Sequence, residues 1–255
     1  MKLKSILPLI ILALSVFLYS CESNDAPVAY SNISGSTNKV LVELFTNTSC
    51  IPCVAANQYL DRVVNPNVII IRWHTTLYPN DPFYLYNETD NGTRQTYYNS
   101  ANANPKGFLL GEFMGNYNET NWTNLLNTQL NASRTMGVSL TKTYDTTART
   151  GNLNITINQN SGDAVTDLVY HVALTEDDIA YTANNGERNF DQVLRDLLTS
   201  PNGDAINIAA GQTVNLAPMS FSIPASIDDR HASLIVFTQS AGSKRIYGVD
   251  IVKLR

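Results

Sequence analysis

The apolar residues of the chain follow two different patterns, one in each half. In the first half, residues 39–45 and 68–74 form nearly continuous apolar runs, and residues 54–64 between them carry apolar residues at helical spacing. From about Met136 onward, apolar and polar residues alternate, as in residues 138–144 and 153–157. Alternation with period two is typical of strands with one buried face. The pattern therefore predicts a strand–helix–strand unit followed by a region built of strands.

The second half contains further apolar segments. Residues 168–174, 234–237 and 245–252 are predicted to be strands, because they are short and rich in β-branched residues. Residues 189–198 are predicted to form one helix, since Phe190, Val193, Leu194 and Leu197 recur at helical spacing. Many short strands at close spacing predict an all-β immunoglobulin-like sandwich over residues 134–255.

The N-terminus carries an export signal. Lys2 and Lys4 precede an apolar run over residues 6–18, which is shorter than the about 20 residues a transmembrane helix needs. This arrangement predicts a signal peptide over residues 1–20. The sequence Leu-Tyr-Ser-Cys ending at Cys21 resembles the lipobox of bacterial lipoproteins, which implies that Cys21 is acylated. A flexible tether is then predicted over residues 21–38; the alternative is a secretory signal with an unrelated cysteine.

Composition and charge narrow the choice of partners. The 255 residues include 17 Lys and Arg against 22 Asp and Glu, and the net charge is −5. The sequence has no cluster of basic residues through which counterion release would drive binding, so no nucleic-acid partner is expected. With 44% hydrophobic residues, the chain also has enough apolar surface to fold.

The two remaining cysteines form a C-x-x-C pair, Cys50 and Cys53. A four-cysteine zinc site would need a second pair, and the three histidines lack the spacing of finger sites. A purely structural disulfide is an alternative, although closing so short a loop stabilises the fold by only about 2 kcal/mol. Cys50 lies at or just before the start of the predicted helix, where the helix dipole favours the thiolate. The pair is therefore predicted to be redox-active.

The segment around this pair resembles a known family. Residues 43–53, Glu-Leu-Phe-Thr-Asn-Thr-Ser-Cys-Ile-Pro-Cys, resemble the E-x-F-T-G-x-x-C-x-x-C segment of thioredoxin-fold lipoproteins in the outer-membrane-protein-28-related family of Gram-negative bacteria. Residues 68–74, 80–83 and 104–111 resemble the family's second strand, the loop after it and its cis-proline strand. The similarity extends over nearly the whole mature chain.

The resemblance implies a fold and a set of roles. It implies an α/β thioredoxin-like domain over residues 39–133, followed by the sandwich. It also implies that Cys50 is the attacking thiol, that Cys53 is the resolving thiol and that Pro105 is the cis-proline facing them. Glu43 would be the acid beneath the strand that relays a proton to Cys53. The expected location is the outer membrane, as a lipoprotein facing the periplasm or the surface.

Two classes of function, and a third reading, follow from these observations. The leading hypothesis is an anchored thiol–disulfide oxidoreductase that acts on protein thiols or disulfides of the cell envelope, with no cofactor. The alternative is a surface adhesin or binding protein whose C-x-x-C is structural or vestigial. A third possibility is copper(I) delivery through Cys50, Cys53 and His74. Whether the protein is an enzyme is left open by the sequence.

Overall fold

The structure is a computed structural model that describes residues 38–162 and 164–255. The predicted signal peptide, Cys21 and all but the last residue of the predicted tether lie outside the described residues. Within the described part, no helix is both long enough and apolar enough to cross a bilayer.

The first half contains four helices and four strands in the described ranges. They are β1 (Val40–Thr46), α1 (Cys53–Val63), β2 (Val68–His74), α2 (Pro82–Tyr86), α3 (Glu88–Tyr97), β3 (Lys106–Leu109), β4 (Glu112–Phe113) and α4 (Glu119–Asn131). Side chains define the helix starts: the Asp81 carboxylate accepts hydrogen bonds from the amides of Phe83 and Tyr84, and the Asn118 side chain accepts one from Asn121. The predicted helix over residues 54–64 and the two predicted strands beside it are confirmed within one residue.

The second half is built of strands. They are β5 (Met136–Asp145), β6 (Thr150–Gln159), β7 (Leu168–Glu176), β8 (Ile179–Ala180), β9 (Asn189–Phe190), β10 (Val193–Leu197), β11 (Asp204–Ala205), β12 (Thr213–Asn215), β13 (Met219–Ser222), β14 (Ala232–Ser240) and β15 (Ile246–Lys253). The five strands predicted after residue 136 correspond to β5, β6, β7, β14 and β15; the first four are longer than predicted, and β15 has the predicted length, shifted by one residue.

The strands of both halves meet in one mixed sheet. Among the described residues, this nine-stranded sheet has the order β15-β14-β7-β10-β2-β1-β3-β4, with β11 paired to β7. β1 runs parallel to β2 and antiparallel to β3. A second sheet of four strands contains β6 between β5 on one edge and β12 and β13 on the other. The two halves of the chain therefore share a layer of sheet.

The predicted fold class, an α/β thioredoxin-like domain followed by an immunoglobulin-like sandwich, is wrong. The large sheet takes β1 to β4 from the first half and β7, β10, β11, β14 and β15 from the second. The fold is mostly β-sheet, with few helices. The predicted boundary between residues 133 and 134 falls in the link from α4 to β5, and its role as a division between folding units stays a prediction.

The error has a specific physical source in the segment predicted as a helix over residues 189–198. This segment forms β9 and β10, and β10 lies between β7 and β2, joining the two halves of the sheet. Val193 and Leu194 are adjacent and both buried, because a central strand is covered on both faces. A bulge follows Leu194, so the apolar residues do not alternate and their spacing imitates a helix.

β14 shows how the shared sheet serves two cores. Ile235 and Phe237 pack into the cluster that contains β1, β2 and α1, whereas Leu234 and Val236 pack into the cluster between the two sheets. Alternate side chains of one strand point to opposite faces, so a single buried strand contributes to both clusters. The large sheet therefore separates the apolar core into two clusters, and β14 contributes side chains to both.

Candidate functional site

The Cys50–Cys53 pair lies where β1 gives way to α1. The Cys50 amide donates to the Asn47 carbonyl (3.0 Å), and the Cys53 amide donates to the Cys50 carbonyl (3.2 Å), so the chain turns tightly before the helix. Pro52 is the N-cap of α1, at the helix start where a proline's missing N–H is tolerated. The two cysteines form a disulfide, with their Cα atoms 5.3 Å apart.

Access to this disulfide is limited. Cys50 is 1% exposed and Cys53 is 0% exposed, whereas Ile51 between them is 74% exposed. The turn therefore presents an apolar side chain to solvent and keeps both sulfur-bearing residues beneath the surface. A partner thiol needs access to a sulfur atom for exchange to occur.

Pro105 is brought to the same end of the sheet. The Asn104–Pro105 peptide bond is cis, as the family resemblance implies. The side-chain amide of Asn104 donates to Thr75 Oγ1, and the Thr75 amide donates to the carbonyl of Thr46, the last residue of β1. The Pro105 segment is thereby fixed at the end of β1 from which the Cys50 turn departs.

Glu43 is placed differently from the predicted proton relay. Its carboxylate is fully buried and accepts hydrogen bonds from Arg94 Nε (2.7 Å), Arg94 Nη2 (2.9 Å) and the Tyr98 hydroxyl (2.8 Å). Burial and the adjacent Glu43 charge raise the pKa of Tyr98 well above its usual value, so this hydroxyl stays protonated and donates. Glu43 therefore has an ion-pair partner of its own.

The sheet lies between Glu43 and α1. Thr46, which is on the opposite face of β1 from Glu43, accepts a hydrogen bond from Asn57 of α1 (3.3 Å). Arg72, the β2 partner of Leu44, also donates to Asn57 (3.2 Å). The face of β1 that carries Leu44 and Thr46 therefore packs against α1, and the opposite face, which carries Glu43, packs against α3. The structure does not bring Glu43 into contact with Cys53.

A buried His–Asp pair supports the turn that precedes Cys50. Asp81 Oδ2 lies 2.8 Å from His74 Nδ1 and accepts the Thr48 amide at 2.8 Å. Burial raises the pKa of Asp81, but His74 and the hydrogen bonds from Thr48 and Tyr84 outweigh it, so the pKa is lowered. Sequence reasoning missed this role of Asp81; its signal is an Asp directly before Pro82 at a helix start.

Asp81 fixes one ring nitrogen of His74, and the imidazole ring packs against the rings of Phe83 and Phe190. Across the described residues, no group of three or more His, Cys, Asp or Glu side chains is arranged to hold a metal ion. The geometry therefore gives no support to the copper reading through Cys50, Cys53 and His74.

A segment distant in sequence covers the cysteine turn. Asn184 Nδ2 donates to Ser49 Oγ (3.1 Å), Asn185 Nδ2 donates to the Cys50 carbonyl (3.3 Å), and the Asn185 amide donates to the Thr48 carbonyl (3.1 Å). This Asn-rich segment lies between β8 and β9 and reads in sequence as an ordinary loop. Nothing in its sequence indicates that it contacts residues about 135 positions earlier.

Residues 93–255 match a family model described as outer membrane protein Omp28. The chain belongs to the Omp28 family. The matched segment begins after the Cys50–Cys53 pair, so Omp28 membership by itself assigns no role to these cysteines. It does confirm the predicted localisation in the outer membrane, while acylation of Cys21 stays a prediction.

Solved structures show what this Omp28 family member resembles in fold. HBP35 of Porphyromonas gingivalis is 14% identical with a TM-score of 0.70, and the match covers 87% of this chain and 76% of that one. A domain of the outer membrane lipoprotein Omp28 from the same organism is 15% identical, with a TM-score of 0.35 and coverage of 48% and 89%. No curated protein sequence matches the chain. At these identities the similarity to HBP35 indicates a shared fold alone.

Proposed function

We propose that this outer membrane protein carries out thiol–disulfide exchange with proteins of the cell envelope through Cys50 and Cys53. The observation that carries the proposal is the disulfide between these two residues at the start of α1. The first amides of a helix lack intrahelical partners, and together with the dipole they stabilise a thiolate there. Cysteines in C-x-x-C motifs at helix starts can have pKa values of about 3.5 to 7.5, against about 8.5 for free cysteine.

The exchange consists of two substitutions at sulfur. The Cys50 thiolate attacks a partner's disulfide, a Cys50–partner S–S bond forms, and the partner's other sulfur leaves as a thiolate and takes up a proton from water. The Cys53 thiolate then attacks the Cys50 sulfur, which forms the Cys50–Cys53 disulfide and releases the second partner thiolate. The protein dithiol loses two electrons and the partner disulfide gains them; the reverse steps transfer the disulfide to two partner thiols.

The proposed roles of the other two residues differ in their support. Pro105 is kept in the proposed site, because Asn104 and Thr75 fix its segment at the end of β1. Glu43 is left out of the exchange step, because its carboxylate is already bonded to Arg94 and Tyr98 on the other face of the sheet.

The second candidate function is a surface binding protein in which the disulfide is structural. The near-complete burial of Cys50 and Cys53 favours it, since reactive cysteines are usually at least partly exposed. In that case the disulfide would stabilise the turn before α1 and nothing more.

Serine variants of the two cysteines separate these candidates. Cys53→Ser is expected to accumulate mixed disulfides with envelope proteins through Cys50, because attack remains possible and resolution does not. Cys50→Ser is the matched control and is expected to trap little, since Cys53 is fully buried inside the helix start. Trapped partners are detected as reductant-sensitive bands on non-reducing gels. Equal and negligible trapping by both variants, with a similar small loss of stability, would support the structural disulfide instead.

A further inference from the structure

The segment bonded to the cysteine turn is a small hairpin, defined here by residues 179–190 and containing β8 and β9. It forms a two-stranded sheet of its own, with two register pairs, Ile179 with Phe190 and Ala180 with Asn189. It pairs with neither the nine-stranded nor the four-stranded sheet. An isolated two-stranded hairpin is marginally stable in water, so this one depends on what it packs against.

Polar contacts hold the hairpin tip on the cysteine turn. Besides the bonds from Asn184 to Ser49 and from Asn185 to Thr48 and Cys50, Glu187 Oε1 accepts a hydrogen bond from Asn57 Nδ2 of α1 (2.8 Å). Asn185 also donates to the other Glu187 carboxylate oxygen. The hairpin therefore bonds both to the loop before the disulfide and to the helix after it.

The apolar contacts under the hairpin lie outside the two main cores and include Tyr181, whose ring packs edge-on against Phe83 (5.7 Å). Phe190 and Ala183 of the hairpin pack with Phe83 and Val193 in a small cluster separate from the two main cores. A small satellite cluster contributes little local stability, and elements of low local stability open without unfolding the whole protein. The hairpin is thus suited to detach while the sheets remain intact.

The two ends of the hairpin have an unusual backbone. Asp178 before it and Gln192 after it both have positive φ values, 57° and 50°. Residues other than glycine rarely adopt this left-handed conformation, which costs roughly 1–2 kcal/mol per residue. These two positions lie where the chain leaves and rejoins the large sheet, and side chains fix them there: the Asp178 amide donates to Asp191, and the Gln192 amide donates to Asp177.

We propose that the hairpin of residues 179–190 is a lid over the Cys50–Cys53 disulfide, closed by Asn184, Asn185 and Glu187, and that a partner thiol reaches Cys50 only when the lid is released. The proposal rests on the proposed exchange function, because it names what regulates access to the same pair. It also explains how a disulfide with 1% and 0% exposed cysteines can exchange. The lid selects partners able to displace it from the turn.

The test measures how fast dithiothreitol reduces the disulfide in the full mature protein. The double variant Asn184→Ala/Asn185→Ala is expected to be reduced on the order of tenfold faster than the wild type, because each lost hydrogen bond shifts the closed–open equilibrium by a factor of about 2 to 12. Asn189→Ala is the matched control: Asn189 is exposed on the same hairpin, and no side-chain hydrogen bond of it is seen in the described chain. The control is expected to match the wild type.

Hydrogen exchange provides a measurement that needs no variant. The Asn185 amide, which donates to the Thr48 carbonyl when the lid is closed, is expected to exchange on the order of 100-fold faster, or more, than amides of the buried strand β14. Equal reduction rates of the double variant and the wild type would overturn the lid, as would an Asn185 amide that exchanges as slowly as those of β14.

Failure of the lid and failure of the exchange function give different results. Reduction by dithiothreitol reports access to the disulfide and needs no natural partner, whereas trapping by Cys53→Ser needs one. Faster reduction of the double variant without any trapping would support a lid over a structural disulfide. Trapping together with unchanged reduction rates would support exchange through a site that the hairpin does not control.

Discussion

The buried pair Glu43–Arg94 offers a sharp test of what holds the first half together. We expect Arg94→Met to destabilise the protein by about 3–5 kcal/mol, the cost of leaving one partner of a buried ion pair uncompensated. The Glu43 carboxylate is 0% exposed, and loss of both Arg94 bonds would leave it, within the described chain, only the Tyr98 hydroxyl as a donor. A loss of this size is a large share of the about 5–15 kcal/mol that stabilises an ordinary domain.

The double variant Glu43→Gln/Arg94→Met shows how much of that loss comes from the interaction. It removes both charges, so it is expected to lose clearly less than the sum of the two single variants. Urea unfolding measures each loss from the midpoint, provided that the slope with urea stays constant. A loss under about 1 kcal/mol for Arg94→Met, the size typical of exposed pairs, would refute the reasoning.

The single variant Glu43→Gln tests the proton-relay role that the family resemblance implies for Glu43. We expect Glu43→Gln to leave the rate of Cys50–Cys53 exchange close to that of the wild type, because the carboxylate faces α3 and not α1. General acid–base catalysts typically contribute about 10²- to 10⁴-fold. A fall of that size in the exchange rate, at unchanged folded fraction, would restore the proton relay.

Three further predictions concern other parts of the chain. Gly111→Ala is expected to destabilise the fold strongly in urea unfolding, because Gly111 has a φ of 88° and an added Cβ would lie 1.9 Å from the Lys244 carbonyl oxygen. Burial and the Arg94 charge lower the pKa of His171 well below 6.5. Below about pH 6.5 the unfolded state therefore binds a proton that the folded state does not, and the protein loses stability as the pH is lowered. His171→Phe is expected to lose less stability than the wild type when the pH is lowered over that range. Cys21→Ser is expected to move the protein from the membrane to the soluble fraction, and retention after a high-salt wash would contradict acylation.

Several elements could be predicted from local sequence. β1 and β2 are continuous apolar runs, and α1 follows a turn that ends in Pro52, so the signals for these elements lie within them. The site's two cysteines and the cis bond before Pro105 also follow from a short motif and the resemblance that it carries.

What could not be predicted depends on partners far along the chain. β10 is a strand because β7 and β2 cover its edges, and its apolar spacing alone favours a helix. The contact of Asn185 with Cys50 joins residues 135 positions apart, and that of Glu43 with Arg94 joins residues 51 positions apart. Hydrophobic pattern records which residues are buried but not against which residues they are buried.

An anchor at Cys21, as predicted, would give the position of β1 a mechanical consequence. Asn38, directly before β1, donates hydrogen bonds to the carbonyls of Leu130 and Ala132, so the start of the described chain is tied to the end of α4. A pull on the N-terminus is therefore applied along β1, which has seven register pairs with β2 and four with β3. Such a load shears these pairs together instead of opening them one at a time. The strand that leads to the disulfide is thus also the strand through which tension from the anchor would enter the fold.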